Sequence, residues 1–319
     1  MPDNPELSDA KRALLEKYLR GELPRAARTI TQDPAPIIGE VRTNPSVLTI
    51  QAGGTRRPFF FLHGQWEEEL SFHCYPLAQA LGSDQPFYGL DPYLLDGRQG
   101  LPTLEDIAAA HIKAIRAIQP EGPYLLGGWC NGALVAYEMA RQLRATGQAV
   151  DLLVLMDPEY VVYPASFRLY RGMISLAGRL LRLNQRKQLD WYLGLKYYLR
   201  SLRFKILRKK DFEELPFGDL LQNYPRLFDW IALGYSQSTP YSGKITFFWT
   251  EGENEGSVER ASRKSWRNVE AKGEVEIHLI PGDHITSRTV YLPVLAEHLN
   301  SCLRKAQEPA SKPYQGKDK

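Results

Sequence analysis

The stretch YLLGGWCNGALVAYEMA, residues 124–140, decides the fold of this 319-residue chain. The apolar run over 124–129 predicts a strand, and the residues that follow predict a helix. Between the two lies Cys130, with Gly128 and Gly132 on either side. Glycines at these places relieve the crowding of a sharp strand-to-helix turn, which holds the middle residue strained with its side chain outward. The stretch therefore predicts a nucleophile elbow that carries cysteine where serine is usual.

Short apolar segments and helical segments alternate on both sides of the elbow. Predicted strands lie at 47–51, 58–62, 87–90, 152–156, 245–249 and 275–280, and predicted helices at 103–118, 131–145 and 291–303. Fully apolar strands that alternate with helices favour a parallel sheet covered on both faces. The predicted fold class is therefore α/β: an α/β-hydrolase fold with a mostly parallel central sheet and helices on both faces.

One hydrolase domain is predicted over residues 46–306. Within it, the interval at about 159–241 interrupts the alternation with helical, aromatic and basic sequence, which predicts a helical lid inserted over the sheet. Residues 1–45 are predicted to form an N-terminal helix, at 9–20, and a proline-punctuated linker. The polar residues 307–319 are predicted to form a disordered tail.

The composition is ordinary for a soluble globular protein, with a net charge of +3. No window holds about 18 uninterrupted apolar residues, and the first residues do not form a charged-then-apolar leader. The three cysteines, Cys74, Cys130 and Cys302, match neither a disulfide framework nor a zinc site. These features predict a cytoplasmic protein with reduced thiols and no bound metal.

Cys130 is the predicted nucleophile. At a helix N-terminus the backbone dipole, together with a neighbouring imidazole, is expected to depress the pKa of the thiol, so that a useful thiolate fraction exists near neutral pH. The alternative is a buried, inert cysteine in a glycine-rich turn, since free cysteine often serves as a small core residue. The elbow context favours the catalytic role.

His284 is the predicted general base. It lies in PGDHIT, residues 281–286, after an apolar strand and before the last helix, where a loop can lean over the elbow. The chain order of nucleophile, acid and histidine is right for this fold. The other histidines are interpreted as structural: His63, His73, His111, His278 and His298.

Asp157 is the favoured orienting acid. It ends the strand that follows the elbow, so its carboxylate is expected at the carboxyl edge of the sheet, where it would fix the imidazole tautomer. Glu251 is the rival, because many proteins of this fold carry the acid one strand later. Backbone donors for the developing oxyanion are expected from Asn131, directly after the nucleophile, and from Gln65, in the loop that follows His63 and Gly64.

Around these residues the chain resembles the thioesterase domains that release products from nonribosomal peptide and polyketide synthases. The resemblance covers about residues 57–303 and rests on GPYLLGGWCNGALVAYEMA at 122–140, on Asp157 and on GDH at 282–284. It also implies a helical lid between the acid and the next strand, and it supports Asp157 as that acid.

The resemblance implies a substrate class. Family substrates are acyl groups held as thioesters on the phosphopantetheine arm of an acyl or peptidyl carrier protein, so the enzyme needs no cofactor of its own. The chain departs from the family at Cys130, where serine is usual, and at Ala133, where a further glycine is frequent. A cysteine keeps the acyl-enzyme a thioester, which leaves hydrolysis, cyclisation and transfer to an amine open. A free-standing enzyme that acts on its carrier in trans is predicted.

The predicted lid carries the basic charge of the chain. Residues 168–210 have a net charge of +12, and the rest of the chain −9. Three interpretations are open: a solvated face over an acyl channel, a docking surface for an acidic carrier protein that includes Arg203 and Lys205, or a peripheral membrane contact. Nucleic acid is set aside, because no motif that reads it accompanies the charge.

Three functions fit these residues. The favoured one is an acyltransferase or hydrolase acting on carrier-bound thioesters through Cys130, His284 and Asp157. An editing thioesterase that clears misloaded carriers is the closest alternative. The third is a non-catalytic module that keeps the fold and holds an acyl ligand, although such a module has no need to retain all three residues.

Overall fold

The computed structural model describes residues 41–44, 47–63, 74–90, 101–163, 165–185, 187–195, 228, 230–235, 241–251, 257–270 and 274–308. The strands are β1 (Val41–Asn44), β2 (Val47–Gln51), β3 (Phe59–Leu62), β4 (Phe87–Leu90), β5 (Tyr124–Trp129), β6 (Val150–Met156), β7 (Ile245–Glu251) and β8 (Val275–Pro281). The helices are α1 (Cys74–Leu81), α2 (Leu104–Arg116), α3 (Asn131–Ala145), α4 (Ala165–Leu180), α5 (Ser257–Glu270) and α6 (Leu292–Gln307).

The strands form one sheet in the order β1-β2-β4-β3-β5-β6-β7-β8. From β4 to β8 every neighbouring pair is parallel, whereas β1 and β2 join that edge antiparallel. Strand β5 lies inside the sheet, between β3 and β6. The predicted α/β-hydrolase fold with a mostly parallel sheet is confirmed. In the described part of the chain, every helix is too short or too polar to cross a bilayer.

Each face of the sheet has its own hydrophobic core. Successive side chains of a strand point to opposite faces, so Phe60 and Leu62 of β3 belong to one core and Phe59 and Phe61 to the other. The first core also contains α2 and α3, and the second contains α1 and α6. A strand covered on both sides has to be apolar throughout, which is why the strands of the sheet could be predicted from their apolar runs.

Helix α2 begins as its sequence predicts. The Thr103 side chain accepts a hydrogen bond from the backbone N–H of Asp106, and the Asp106 carboxylate accepts from the backbone N–H of Thr103 at 3.0 Å. This capping box satisfies two amide donors that a helix otherwise leaves unpaired at its start.

Several elements differ from the prediction. Strand β1 lies in the interval interpreted as linker, and α6 continues to Gln307, the first residue of the predicted tail. Helices α1 and α5 were not predicted: α1 has only eight residues, and α5 has few apolar residues among its charges. Helix α4 and the helical residues 187–195 lie within the interval that is predicted to form the lid. The predicted helix at 9–20 lies outside the described residues.

Gly132→Ala is expected to destabilise the fold by about 1–3 kcal/mol, because a methyl group there has to displace backbone. Its Cβ would lie 2.5 Å from the Leu62 carbonyl oxygen, where α3 crosses β3. Gly172→Ala is the matched control: it lies in α4, where a Cβ meets nothing within 4 Å, and alanine should be neutral or stabilising by up to about 1 kcal/mol. Urea unfolding measures both, and equal stability of the two variants would contradict the packing at the elbow.

Candidate active site

Cys130 occupies the strained turn that the sequence predicts. Its backbone has φ 53° and ψ −122°, and it is the N-cap of α3 directly after β5. A left-handed φ in a residue other than glycine costs free energy, and the surrounding structure has to hold it. The Cys130 N–H donates to the Met156 carbonyl at 2.9 Å, and the Cys130 carbonyl accepts from the Ala133 N–H at 3.2 Å.

Asp157 and His284 meet at the carboxyl edge of the sheet. The distance from His284 Nδ1 to Asp157 Oδ2 is 3.2 Å. The other oxygen, Oδ1, accepts from the Thr250 N–H at 2.9 Å and from its hydroxyl at 3.1 Å. Strand β7 thus orients the carboxylate, and the carboxylate orients the imidazole. The rival acid Glu251 ends β7 with an exposed side chain, and it is Asp157 that contacts His284.

The loop that carries His284 is held by its own side chains. The Asp283 carboxylate accepts from the backbone N–H groups of Ile285 and Thr286 at 2.9 and 2.8 Å, and from the Thr286 hydroxyl at 2.9 Å. Gly282 has φ 90°, which favours glycine. Asp283 therefore shapes the turn, and its neighbour His284 is left to face Asp157.

Trp129 holds the second nitrogen of the imidazole. Its indole Nε1–H donates to His284 Nε2 at 3.0 Å. An indole N–H only donates, so Nε2 bears the lone pair and the proton lies on Nδ1, facing Asp157. This is the tautomer that a general base needs. Trp129 thus occupies Nε2, the nitrogen that would receive the proton of the Cys130 thiol. For His284 to act as a base, Nε2 would have to exchange its hydrogen bond with Trp129 for one with the sulfur.

Glu159 contacts Cys130, and the sequence did not suggest this contact. Cys130 Sγ lies 3.8 Å from Glu159 Oε1. The Tyr163 hydroxyl donates to Glu159 Oε2 at 3.3 Å, and Trp266 Nε1 donates to the Glu159 carbonyl at 2.8 Å. The one available signal was its position, two residues after the acid at the end of β6.

The expected depression of the Cys130 pKa is wrong. Burial raises the pKa of the thiol well above its usual value, and the negative charge of Glu159 raises it further. The Asn131 backbone N–H opposes both effects, and the charge of Asp157 adds a smaller increase. With its pKa raised, the Cys130 side chain is a neutral thiol at neutral pH.

Glu159→Gln is expected to lower the pKa of Cys130, because it removes a negative charge beside the sulfur while keeping the shape. A lower pKa increases the thiolate fraction at fixed pH, so alkylation by iodoacetamide should be several-fold faster. The pH dependence of the alkylation rate, followed by mass spectrometry, measures this shift. Tyr163→Phe is the control, since it removes a contact of Glu159 and leaves the charge in place. An unchanged profile in Glu159→Gln would show that the carboxylate does not act on the thiol.

One of the two predicted oxyanion donors is placed beside the sulfur. Asn131 opens α3, and its backbone N–H lies within hydrogen-bond range of the Cys130 side chain. Gln65, Arg203 and Lys205 lie outside the described residues. Arg288, which the sequence did not suggest, lies with its guanidinium carbon 5.9 Å from the centre of the Trp129 ring. It lines a small cavity with Trp129, Phe61 and His63, and it brings positive charge to the site.

Part of the chain matches a known domain family. Residues 71–171 match the model of the thioesterase domain family. This segment includes β5, the elbow and Asp157, and it ends before His284. The matched segment thus contains the predicted nucleophile Cys130 and the predicted acid Asp157, and His284 lies outside it.

Curated relatives are large synthases. The chain is 42% identical over 123 residues to the dimodular nonribosomal peptide synthase of Bacillus subtilis. The matched segment covers 38% of this chain and 5% of that synthase. The chain is also 24% identical over 304 residues to the atromentin synthetase of Tapinella panuoides. This matched segment covers 89% of the chain and 29% of that synthetase. The chain therefore spans less than a third of either relative.

Solved structures agree in fold. The NocB thioesterase domain from the nocardicin cluster has a TM-score of 0.54 and 22% identity, over 82% of this chain and 100% of that one. The RedJ thioesterase from the prodiginine pathway in Streptomyces coelicolor has a TM-score of 0.50 and 17% identity, over 88% of this chain and 99% of that one. At these identities the likeness shows the fold alone.

Proposed function

We propose that this protein is an acyltransferase or hydrolase that takes acyl groups from carrier-bound thioesters through Cys130. The observation that carries the proposal is the 3.2 Å contact between Asp157 and His284 at the sheet edge where Cys130 forms the elbow. The thioesterase match of residues 71–171 supports the thioester as the bond that is attacked.

The first half of the reaction moves the acyl group to sulfur. Cys130 Sγ attacks the thioester carbonyl as its proton passes to His284 Nε2. The negative charge on the carbonyl oxygen is stabilised by the Asn131 backbone N–H. The intermediate collapses with loss of the pantetheine thiolate, which takes the proton from His284. Asp157 stabilises the imidazolium in between and keeps Nδ1 protonated.

The second half transfers the acyl group to an acceptor. His284 is neutral again and accepts the proton of the attacking group, and the Cys130 thiol is regenerated when the acyl–sulfur bond breaks. Water gives an acid, an internal nucleophile gives a ring, and an external amine gives an amide. The acyl-enzyme is itself a thioester, so the first transfer is nearly balanced in energy and the intermediate stays reactive toward amines.

Glu159 favours a cationic acceptor. Its carboxylate lies 3.8 Å from the sulfur that carries the acyl group, so it can hold the ammonium group of a diamine while the second amino group, which is neutral, attacks the acyl carbon. Water gains nothing from that charge. Amine acceptors are therefore the outcome that this site supports best, with hydrolysis as the background reaction.

The acyl donor in this proposal is a phosphopantetheine thioester on an acyl or peptidyl carrier protein. Large synthases among the relatives support such a partner. Within the described residues, the basic segment exposes Arg168 and Arg179 on α4. Docking of an acidic carrier on this face should weaken steeply as salt is added.

Product analysis tests the proposal. The protein is incubated with acyl-pantetheine thioesters and acyl carriers, with and without diamines and monoamines of equal length. Release of acyl product that depends on the protein, with amide exceeding acid when a diamine is present, supports amine transfer. Release of short acyl groups as acid alone would favour an editing thioesterase. Binding of acyl donor without any product would show a non-catalytic module.

A further inference from the structure

Three potential metal ligands converge between the edge strand β8 and helix α6, away from the proposed catalytic residues. Glu276 and His278 are two residues apart near the start of β8 and share one face of the sheet, and Cys302 faces them from α6. His284, by contrast, follows the far end of β8. Neither the proposed acyl transfer nor the thioesterase match uses this cluster.

The distances fit a tetrahedral metal site. His278 Nε2 lies 3.0 Å from Glu276 Oε1 and 3.6 Å from Cys302 Sγ, and the three ligand atoms lie within 4.8 Å of one another. In a tetrahedral zinc site, with Zn–N of about 2.0–2.1 Å and Zn–S of about 2.3 Å, nitrogen and sulfur stand about 3.5 Å apart. One ion can therefore reach all three atoms with little movement of the side chains.

His298 supplies the outer hydrogen bond that ligating histidines commonly have. Its Nδ1 lies 3.0 Å from Nδ1 of His278. When His278 donates there, its Nε2 carries the lone pair that a metal needs, directed at Glu276 and Cys302. His298 and Cys302 are four residues apart on α6, so one face of the helix provides both the sulfur and this partner. His298 is thus a positioning residue.

The charges around the cluster leave one carboxylate oxygen for the ion. Lys244 Nζ lies 2.8 Å from Glu276 Oε2, whereas Oε1 faces His278, with Lys305 Nζ at 3.6 Å. A cysteine binds a metal ion as the thiolate, so Cys302 releases its proton when the ion binds.

We propose that Glu276, His278 and Cys302 form a binding site for a thiol-seeking divalent cation of the zinc type, with a fourth position open to water. The side chain of Glu276 is 26% exposed and that of Lys305 63%, so an ion can enter from solvent beside them. An ion held by three protein ligands with an open fourth position is suited either to stabilising the fold or to regulating the protein. This proposal departs from the sequence analysis, which predicts no bound metal.

Cobalt titration of the full chain tests the site. Co²⁺ bound to a thiolate gives a ligand-to-metal charge-transfer absorption, which is expected to saturate at one equivalent and to disappear on addition of Zn²⁺. Cys302→Ser should remove the band, and Glu276→Gln, a substitution near the surface, should weaken binding by about tenfold or more. His298→Asn should weaken it by about 10- to 100-fold while the band persists.

Two controls separate this site from the other thiols. Cys130→Ala and Cys74→Ser should each keep the band, and circular dichroism establishes that Cys302→Ser is folded. Absence of the band at saturating Co²⁺, or its persistence in Cys302→Ser, would overturn the proposal. Because neither result depends on acyl transfer, the metal site and the proposed function can fail separately.

Discussion

Cys130→Ala is expected to lower kcat/KM for acyl-pantetheine substrates by about 10⁴- to 10⁶-fold. Without the sulfur no acyl-enzyme forms, and the residual rate comes from the Asn131 donor and substrate binding alone. Release of free pantetheine thiol, followed with a thiol reagent after rapid separation, measures the loss. Gly172→Ala is the control, since a Cβ there meets nothing within 4 Å and the fold is expected to be unchanged.

Cys130→Ser separates the effect of the sulfur atom from the effect of the residue's position at the elbow. Serine keeps the elbow and restores the usual family residue, so hydrolysis should persist far above the level of Cys130→Ala. An oxygen ester is less reactive toward amines than a thioester, so the ratio of amide to acid should fall. A ratio equal to that of the wild type would mean that sulfur does not decide the acceptor.

Asp157→Asn is expected to lower kcat by about 10³- to 10⁴-fold with little change in substrate binding. An amide in place of the carboxylate can donate to Nδ1 of His284, which favours the tautomer with its proton on Nε2, where a lone pair is needed. It also leaves the imidazolium without its compensating charge. Steady-state kinetics over a range of pH measures both the loss and any change in the profile.

Glu251→Gln is the matched control for this variant. It removes the rival carboxylate, which ends the next strand with an exposed side chain, and it should leave kcat within about twofold. If instead Glu251→Gln lost activity and Asp157→Asn kept it, the contact between His284 and Asp157 would not be the catalytic one.

The sequence predicted the parts of the fold that are buried on both faces. Strand β5 and the glycines beside Cys130 are constrained by contacts on every side, so few residue types fit there and the sequence pattern predicts the elbow. Helix α2 could be predicted for a different reason, because its first residues form a local capping box. Helix α5 could not be found in this way, because it contacts the core through few residues, Trp266 and Val269 among them.

The environment of the nucleophile could not be predicted from the chain. Thiol pKa depends on burial and on charges that folding brings together, and Glu159 reaches the sulfur from a loop 29 residues away in sequence. The same is true of Trp129, which precedes the nucleophile yet contacts His284 across 155 residues. The spacing of the sequence predicts which groups are catalytic in the proposed reaction, whereas their protonation states follow from the fold.

Intact-mass analysis after brief exposure to an acyl-pantetheine thioester tests the central claim most directly. We expect the wild type to gain the mass of one acyl group, peptide mapping to place it on Cys130, and added amine to discharge it as amide. The Cys130→Ala variant should remain unmodified under the same conditions. A wild type that turns over substrate with no adduct, or an adduct that forms equally in the variant, would contradict the assignment of Cys130 as the nucleophile.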